Sequence, residues 1–294
     1  MCLQIEIQVI ISYQLEASLE PMKNYYYHSR ITRDLTNFSL FKHRNAFKHC
    51  IISMHNSGTH WVRYMIMLAL KYHYDLPEIN ALTTIDDFFD PRIQPRYKHI
   101  PRIGSTHQIP NPLLTLPFIH KLTVWPNYLI LVRDPRYSLV ANYHKTKDAY
   151  QMSFSEYLRA DVKLLRKRTG KKRFVTDICW ILRFMNSWAH MIDNVPGETK
   201  VIKYEDLRKN TEEMLAMMLD FLQVPVTDKM IIARCVTESS KEKMSKIADQ
   251  RRTVVRKDDP DPLAIYSESD KEFLIDTFDK FAFSTFGYDF RSGW

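Results

Sequence analysis

Three short apolar runs, each closed by a polar turn and followed by helix-forming sequence, constrain this chain more than any other feature. Cys50–Met54 (CIISM), Asn127–Val132 (NYLILV) and Thr199–Lys203 (TKVIK) are short, rich in β-branched and large apolar residues, and read as buried strands. After the first, Trp61, Met65, Leu68 and Ala69 recur at helical spacing, which predicts a helix over about His60–Tyr72. After the second, helix-like sequence runs from Arg136 to about Lys147. After the third, Thr211–Leu222 is amphipathic, with a Thr-x-x-Met start and acids in its first turn. Ser267-Glu268-Ser269-Asp270 resembles a capping box for a last helix carrying Phe273, Leu274, Phe278 and Phe281. Strands that alternate with helices imply a three-layer α/β fold, a central parallel sheet with helices on both faces. Ligands of such sheets bind beyond the carboxyl ends of the strands. The three turns are therefore where function is expected.

With 294 residues the chain has room for one such domain with insertions, here 45–294, preceded by an extension over 1–44. The opening MCLQIEIQVIISYQ alternates apolar and polar residues and lacks the basic start and cleavage site of a signal. It reads as an edge strand or a dispensable extension, and Met22 is an alternative start to Met1. The four cysteines lie apart, without CxxC or metal-ligand spacing, and none of the eleven histidines falls in an HExxH-type group. Free thiols, a cytoplasmic location and no metal are the expectation. No apolar run approaches the roughly 18 residues of a membrane span. The net charge of +8 favours an anionic ligand without identifying it.

Chemistry concentrates at the turns. Ser53-Met54-His55-Asn56-Ser57-Gly58-Thr59-His60-Trp61 leads from the first strand into a helix. One glycine among small hydroxyl residues at a helix start aims backbone N–H groups at a common point, a geometry that suits phosphate. Gly58 permits a positive φ or a close approach; Ser57 and Thr59 add hydroxyls. An ordinary capped helix start is the competing reading, and the Walker A pattern is absent because its first glycine and its Gly-Lys ending are missing. Ser105-Thr106-His107-Gln108 places His107 near a strand end. Arg133, in Arg133-Asp134-Pro135-Arg136, stands either for a second phosphate or for an Arg–Asp pair within the turn. Tyr204, in Lys203-Tyr204-Glu205-Asp206-Leu207, lines a base pocket or packs in the core.

Together these segments resemble the sulfotransferase family over about Cys50–Phe290. HNSGTHW is similar to the family's PKSGTTW loop, and STHQIP with Leu113, Leu114 and Pro117 to its KTHLP…LLP segment. VRDPRYSLVANYH is similar to RNPxDVxxSxxH, and KYEDL with the later FLQVP to YEDL…FLG. Val255-Arg256-Lys257 and Phe286-Gly287-Tyr288 are similar to late elements. The resemblance implies transfer of a sulfuryl group from 3′-phosphoadenosine 5′-phosphosulfate (PAPS) to a hydroxyl or amine by in-line displacement. It implies that Ser57, Gly58 and Thr59 hold the 5′-phosphate and that Trp61 packs on adenine. Arg133 then binds the 3′-phosphate, Tyr204 touches the base, Arg256 with Lys257 closes over the nucleotide, and His107 is the general base.

The chain departs from the family at charged positions. Asn56 stands where the loop lysine belongs, with His60, and less directly Arg63, as substitutes within reach. Ala141 replaces a phosphate-binding serine, leaving Ser138 or Asn142 for that contact. Ser105 replaces a lysine, and Asp258, Asp259 and Asp261 intrude beside Arg256. A relative that binds PAPS or its product PAP without transfer, as a sensor or scaffold, is the alternative function; a small-molecule P-loop kinase is disfavoured by the missing lysine. A basic run from Lys163 to Arg173 is either a solvated helix end or a lip for an anionic acceptor, a glycan or phosphorylated lipid. Nucleic acid is not expected, because no aromatic residues interleave with the charges. Acceptor loops are expected at Tyr74–Lys98 and Lys145–Thr176.

Overall fold

The computed structural model describes residues 47–77, 88–89, 97–110, 125–170, 175–194, 197–247 and 261–294. Among the described residues four strands form one sheet: β1 (His49–Ser53), β2 (Ile103–Thr106), β3 (Asn127–Val132) and β4 (Thr199–Lys203). All neighbours are parallel, in the order β2-β1-β3-β4. The three expected strands are present, and β2 is the one whose exit holds His107. Ile52 lies beside both Thr106 and Ile130, and Val132 beside Lys203, so the carboxyl ends of the strands share one rim. From β1 the chain moves to β2 on one side and then to β3 on the other. β1 is thus a topological switch point, and the crevice beyond it is where this architecture receives ligands.

Alternation along the strands divides the core into two. Cys50, Ile52, Tyr128, Ile130 and Val132 face one layer, while Ile51, Leu129 and Leu131 face the other. The first layer is built from α2 (Pro135–Tyr150), α3 (Phe154–Arg159), α4 (Val162–Thr169), α5 (Asp177–Asn194) and α10 (Glu268–Phe281). The second comes from α1 (Thr59–His73), α6 (Tyr204–Lys209), α7 (Thr211–Phe221), α8 (Lys229–Glu238) and α9 (Lys241–Ile247). Ile51, Ile52, Leu129 and Ile130 are fully buried, each such side chain stabilising the fold by about 1.5–3 kcal/mol. Burial on both faces explains why the strands read as continuous apolar runs.

The helices start close to where their periodicity places them. Ser267 and Asp270 form the expected capping box of α10. α7 starts at Thr211, as expected. Thr211 is already helical and its hydroxyl donates to the Leu207 carbonyl of α6, so the two helices follow one another with Asn210 between them. The extension over 1–44, Arg256, Lys257, Asp258, Asp259, Lys171–Arg173 and most of the Tyr74–Lys98 loop lie outside the described residues.

Candidate functional site at the switch-point crevice

The turn after β1 is anchored from beneath. The Met54 amide donates to the Leu131 carbonyl of β3, and the Met54 carbonyl accepts from both the amide and the hydroxyl of Ser57. Ser57 is fully buried, so its side chain shapes the turn from within. Asn56 and Gly58 both adopt positive φ, 61° and 87°. At Gly58 the lack of a side chain matters twice over: a Cβ there would lie 2.8 Å from two ring carbons of Tyr204. Gly58 is also the N-cap of α1, and no side chain caps that helix. The N–H groups of Thr59 and Trp61 lie in the first turn, beyond reach of any intrahelical carbonyl.

Arg133, Tyr204 and Trp61 surround this turn. Arg133 Nη1 donates to the Asn56 carbonyl at 3.0 Å, and its guanidinium lies 4.5 Å from the centre of the Tyr204 ring. Trp61 meets Tyr204 edge to face at 6.3 Å and is held by its indole N–H on Ser239 Oγ at 3.2 Å. The Arg–Asp pair that competes for Arg133 does form, but with a different arginine. Asp134 caps α2 and binds the buried Arg136 through both carboxylate oxygens. Arg133 is left facing the crevice, with its Nε buried and without a hydrogen-bond partner among the described residues. The turn is fixed further by Glu205, which accepts from the Asp134 amide at 3.2 Å and from the Tyr288 hydroxyl at 2.7 Å. Arg136 donates to the Ser292 carbonyl at 2.6 Å, and its guanidinium stacks over Trp294.

His107 closes the other side. Its Nδ1 is 2.7 Å from the Ser53 carbonyl and 3.1 Å from Ser53 Oγ. A carbonyl can only accept, so Nδ1 carries the proton and Nε2 presents its lone pair. Burial of the surroundings lowers the pKa of His107, the Ser53 carbonyl opposes that, and the charges of Arg63 and Lys145 add to the lowering. His107 as a residue is nevertheless exposed. His55 packs edge to face against it at 4.9 Å and stacks on Trp180 of α5 at 3.8 Å. Trp188, on the same helix, holds the next residue in place through a bond to the Gln108 carbonyl. A neutral, oriented imidazole with its Nε2 lone pair free can remove a proton from a bound hydroxyl or amine.

The remaining expected residues fall out as follows. Asn56 uses its side-chain amide on Asn142 of α2, Nδ2 to Oδ1 at 2.6 Å, so Asn142 supports the turn. Ser138 is fully buried on α2, its Oγ without a hydrogen-bond partner among the described residues. His60 is exposed at the start of α1, and Arg63 lies over the Phe89 ring at 5.0 Å. Thr59 is buried at the first helical position. Sequence alone assigns no role to Ser53, His55, Trp180 and Glu205, although Ser53 and His55 lie in the segment that leads into α1 and Glu205 in KYEDL. Among the described residues no group of acids, histidines and cysteines is arranged for a metal, and no helix is long and apolar enough to cross a membrane.

A family model described as "Sulfotransferase domain" matches residues 48–272. WSCD family member CG9164 of Drosophila melanogaster is 32% identical over 110 residues, which cover 36% of this chain and 31% of that protein. Sulfotransferase 6B1 of Danio rerio is 24% identical over 157 residues, 49% of this chain and 46% of that protein. The matches thus span a third to a half of the length of these relatives. Among solved structures, mouse sulfotransferase SULT7A1 complexed with PAP aligns at TM-score 0.51 and 17% identity, covering 82% of this chain and 87% of that one. Retinol dehydratase, in complex with androsterone and inactive cofactor PAP, aligns at TM-score 0.52 and 17% identity, covering 87% of each. The two structures share the fold, and the match over 48–272 takes in every strand and the whole crevice: the chain belongs to the sulfotransferase family.

Proposed function

We propose that the protein transfers a sulfuryl group from PAPS to an acceptor hydroxyl or amine. The observation that carries this reading is Arg133, bonded to the Asn56 carbonyl and lying over Tyr204, so that one cation borders both the uncapped start of α1 and an aromatic surface. A nucleotide with phosphates at both ends fits that pairing, and the buried Arg133 Nε offers a further donor. In this reading the backbone of Gly58 and Thr59 faces the 5′-phosphate, Arg133 the 3′-phosphate, and Tyr204 and Trp61 the base. Arg256 and Lys257 are proposed to close over it. PAPS supplies the activated sulfuryl group. His107, held through Nδ1 by Ser53, accepts the acceptor proton at Nε2.

A second reading, nucleotide binding without transfer, is favoured by one observation: the neutral Asn56 amide is committed to Asn142. Its outcome would be a sensor or scaffold. The exposed Lys163, Arg166, Lys167 and Arg168 of α4 support an anionic acceptor, a glycan or a lipid headgroup, and Cys50, Cys179 and Cys235 are free thiols, as a cytoplasmic protein would have. Residues 45–294 are proposed to act as one domain.

Calorimetry and thermal melting with PAP test binding, and labelled PAPS with a panel of acceptors tests transfer. PAP should raise the melting temperature, and His107→Ala should abolish transfer while leaving PAP affinity within about threefold, since the base contributes 10²–10⁴ in rate. Transfer should fall only as pH drops below the ordinary histidine range, because the lowered pKa keeps the imidazole neutral at pH 7. No melting shift with PAP would defeat both readings. Tight PAP binding with no transfer to any acceptor class would leave the second.

A further inference from the structure

A neutral turn poses a problem that α2 answers. Asn142 and Lys145 are three residues apart on that helix and therefore share a face, with Cβ atoms about 5–6 Å apart. Asn142 touches the turn directly, its Oδ1 2.6 Å from Asn56 Nδ2. The same face carries Ser138 and Ala141, both buried, before it opens to solvent at Lys145. No carboxylate pairs with Lys145 among the described residues. Arg63, the other cation whose charge reaches His107, lies over Phe89 with its Nε buried. Lys145 has a flexible stem and an ammonium free to turn toward the crevice.

We propose that Lys145, projecting from the α2 face that Asn142 docks on the turn, supplies the positive charge for the 5′-phosphate that neutral Asn56 does not. The inference rests on the PAPS reading above. In the transfer step the acceptor proton passes to His107 Nε2 and the acceptor oxygen or nitrogen bonds to sulfur. The bond from sulfur to the bridging oxygen breaks, and its electron pair stays on the 5′-phosphate. Charge therefore grows at the turn, where a cation held outside the loop stabilises the leaving group. Asn142 is a positioning residue: it fixes the Asn56 amide and sets the distance from α2 to the turn.

Calorimetric titration with PAP and with adenosine 3′-phosphate, which lacks the 5′-phosphate, separates this role from a structural one. Lys145→Gln should weaken PAP about tenfold and leave adenosine 3′-phosphate unchanged, whereas Lys145→Arg should stay within about threefold of the wild type for both. Placing a lysine in the loop by Asn56→Lys should remove most of the Lys145→Gln effect, because the two cations would then serve the same anion. Equal losses for both ligands, no loss for PAP, or the full loss persisting in the Asn56→Lys background would overturn the assignment. A wild-type protein that binds neither ligand would overturn the PAPS reading itself. Wild-type PAP binding that is insensitive to Lys145 would overturn only this step.

Discussion

The starts of α1 and α10 face opposite problems with the same backbone. At α10 the cap is supplied by the chain's own side chains. Ser267 Oγ accepts from the Asp270 amide, and the Asp270 carboxylate accepts from the Ser267 amide, from Ser155 Oγ and from Arg159. Asp270 is completely buried in doing so. At α1 the N-cap is Gly58, which has nothing to offer, and the aromatic and cationic groups of Tyr204, Trp61 and Arg133 stand around it without capping it. A helix start closed by its own side chains holds structure together. One left open and positive, with aromatic and cationic groups around it, is suited to take an anion from outside.

Three substitutions test that contrast. The largest effect belongs to Asp270→Ala, which strands Arg159 and two hydroxyls. It should cost about 3 kcal/mol in urea unfolding, at the low end for a broken buried pair because Arg159 keeps access to water, with PAP affinity of the folded protein unchanged. Burial pushes the Asp270 carboxyl up, but its bonds from Arg159, Ser155 and Ser267 outweigh that and hold it below its ordinary value of 3.8. Its stabilisation is therefore present above that value and lost as pH falls through the lowered pKa, so the gap between wild type and variant should close in strong acid. Gly58→Ala comes next. A positive φ costs an alanine about 1–2 kcal/mol, and the new Cβ must displace Tyr204 and with it Arg133. PAP affinity should drop more than tenfold by calorimetry; wild-type affinity would break the contrast, since α1 would then not be the phosphate site. Ser267→Ala is the smallest, about 1 kcal/mol in melting experiments and nothing in PAP binding.

Much of this architecture could be read in advance because its causes are local. Burial on both faces gives CIISM and NYLILV their apolar runs, and Ser267 with Asp270 makes a capping box from four consecutive residues. Gly58 stood out because the chain has only six glycines and this one precedes a helix. What could not be read depends on strand order. Ser53 and His107 are far apart in sequence and meet because β2 lies beside β1. Asn56 finds Asn142 because β3 and α2 follow on the other side. Asp134 had two arginines to choose from, at positions 133 and 136, and only the path of the turn decides that it binds the second. His55 and Trp180 stack across the crevice with no spacing rule to announce them.

The brace around Asp134 has a practical meaning for anyone preparing shorter forms of the protein. The family-model match ends at residue 272, yet Tyr288, Ser292 and Trp294 grip the Arg133–Arg136 turn through Glu205 and Arg136. A fragment cut to the region that the family model matches would keep every strand and lose the buttress behind Arg133. Loss of PAP binding by such a fragment would report on the missing buttress before it reported on the crevice.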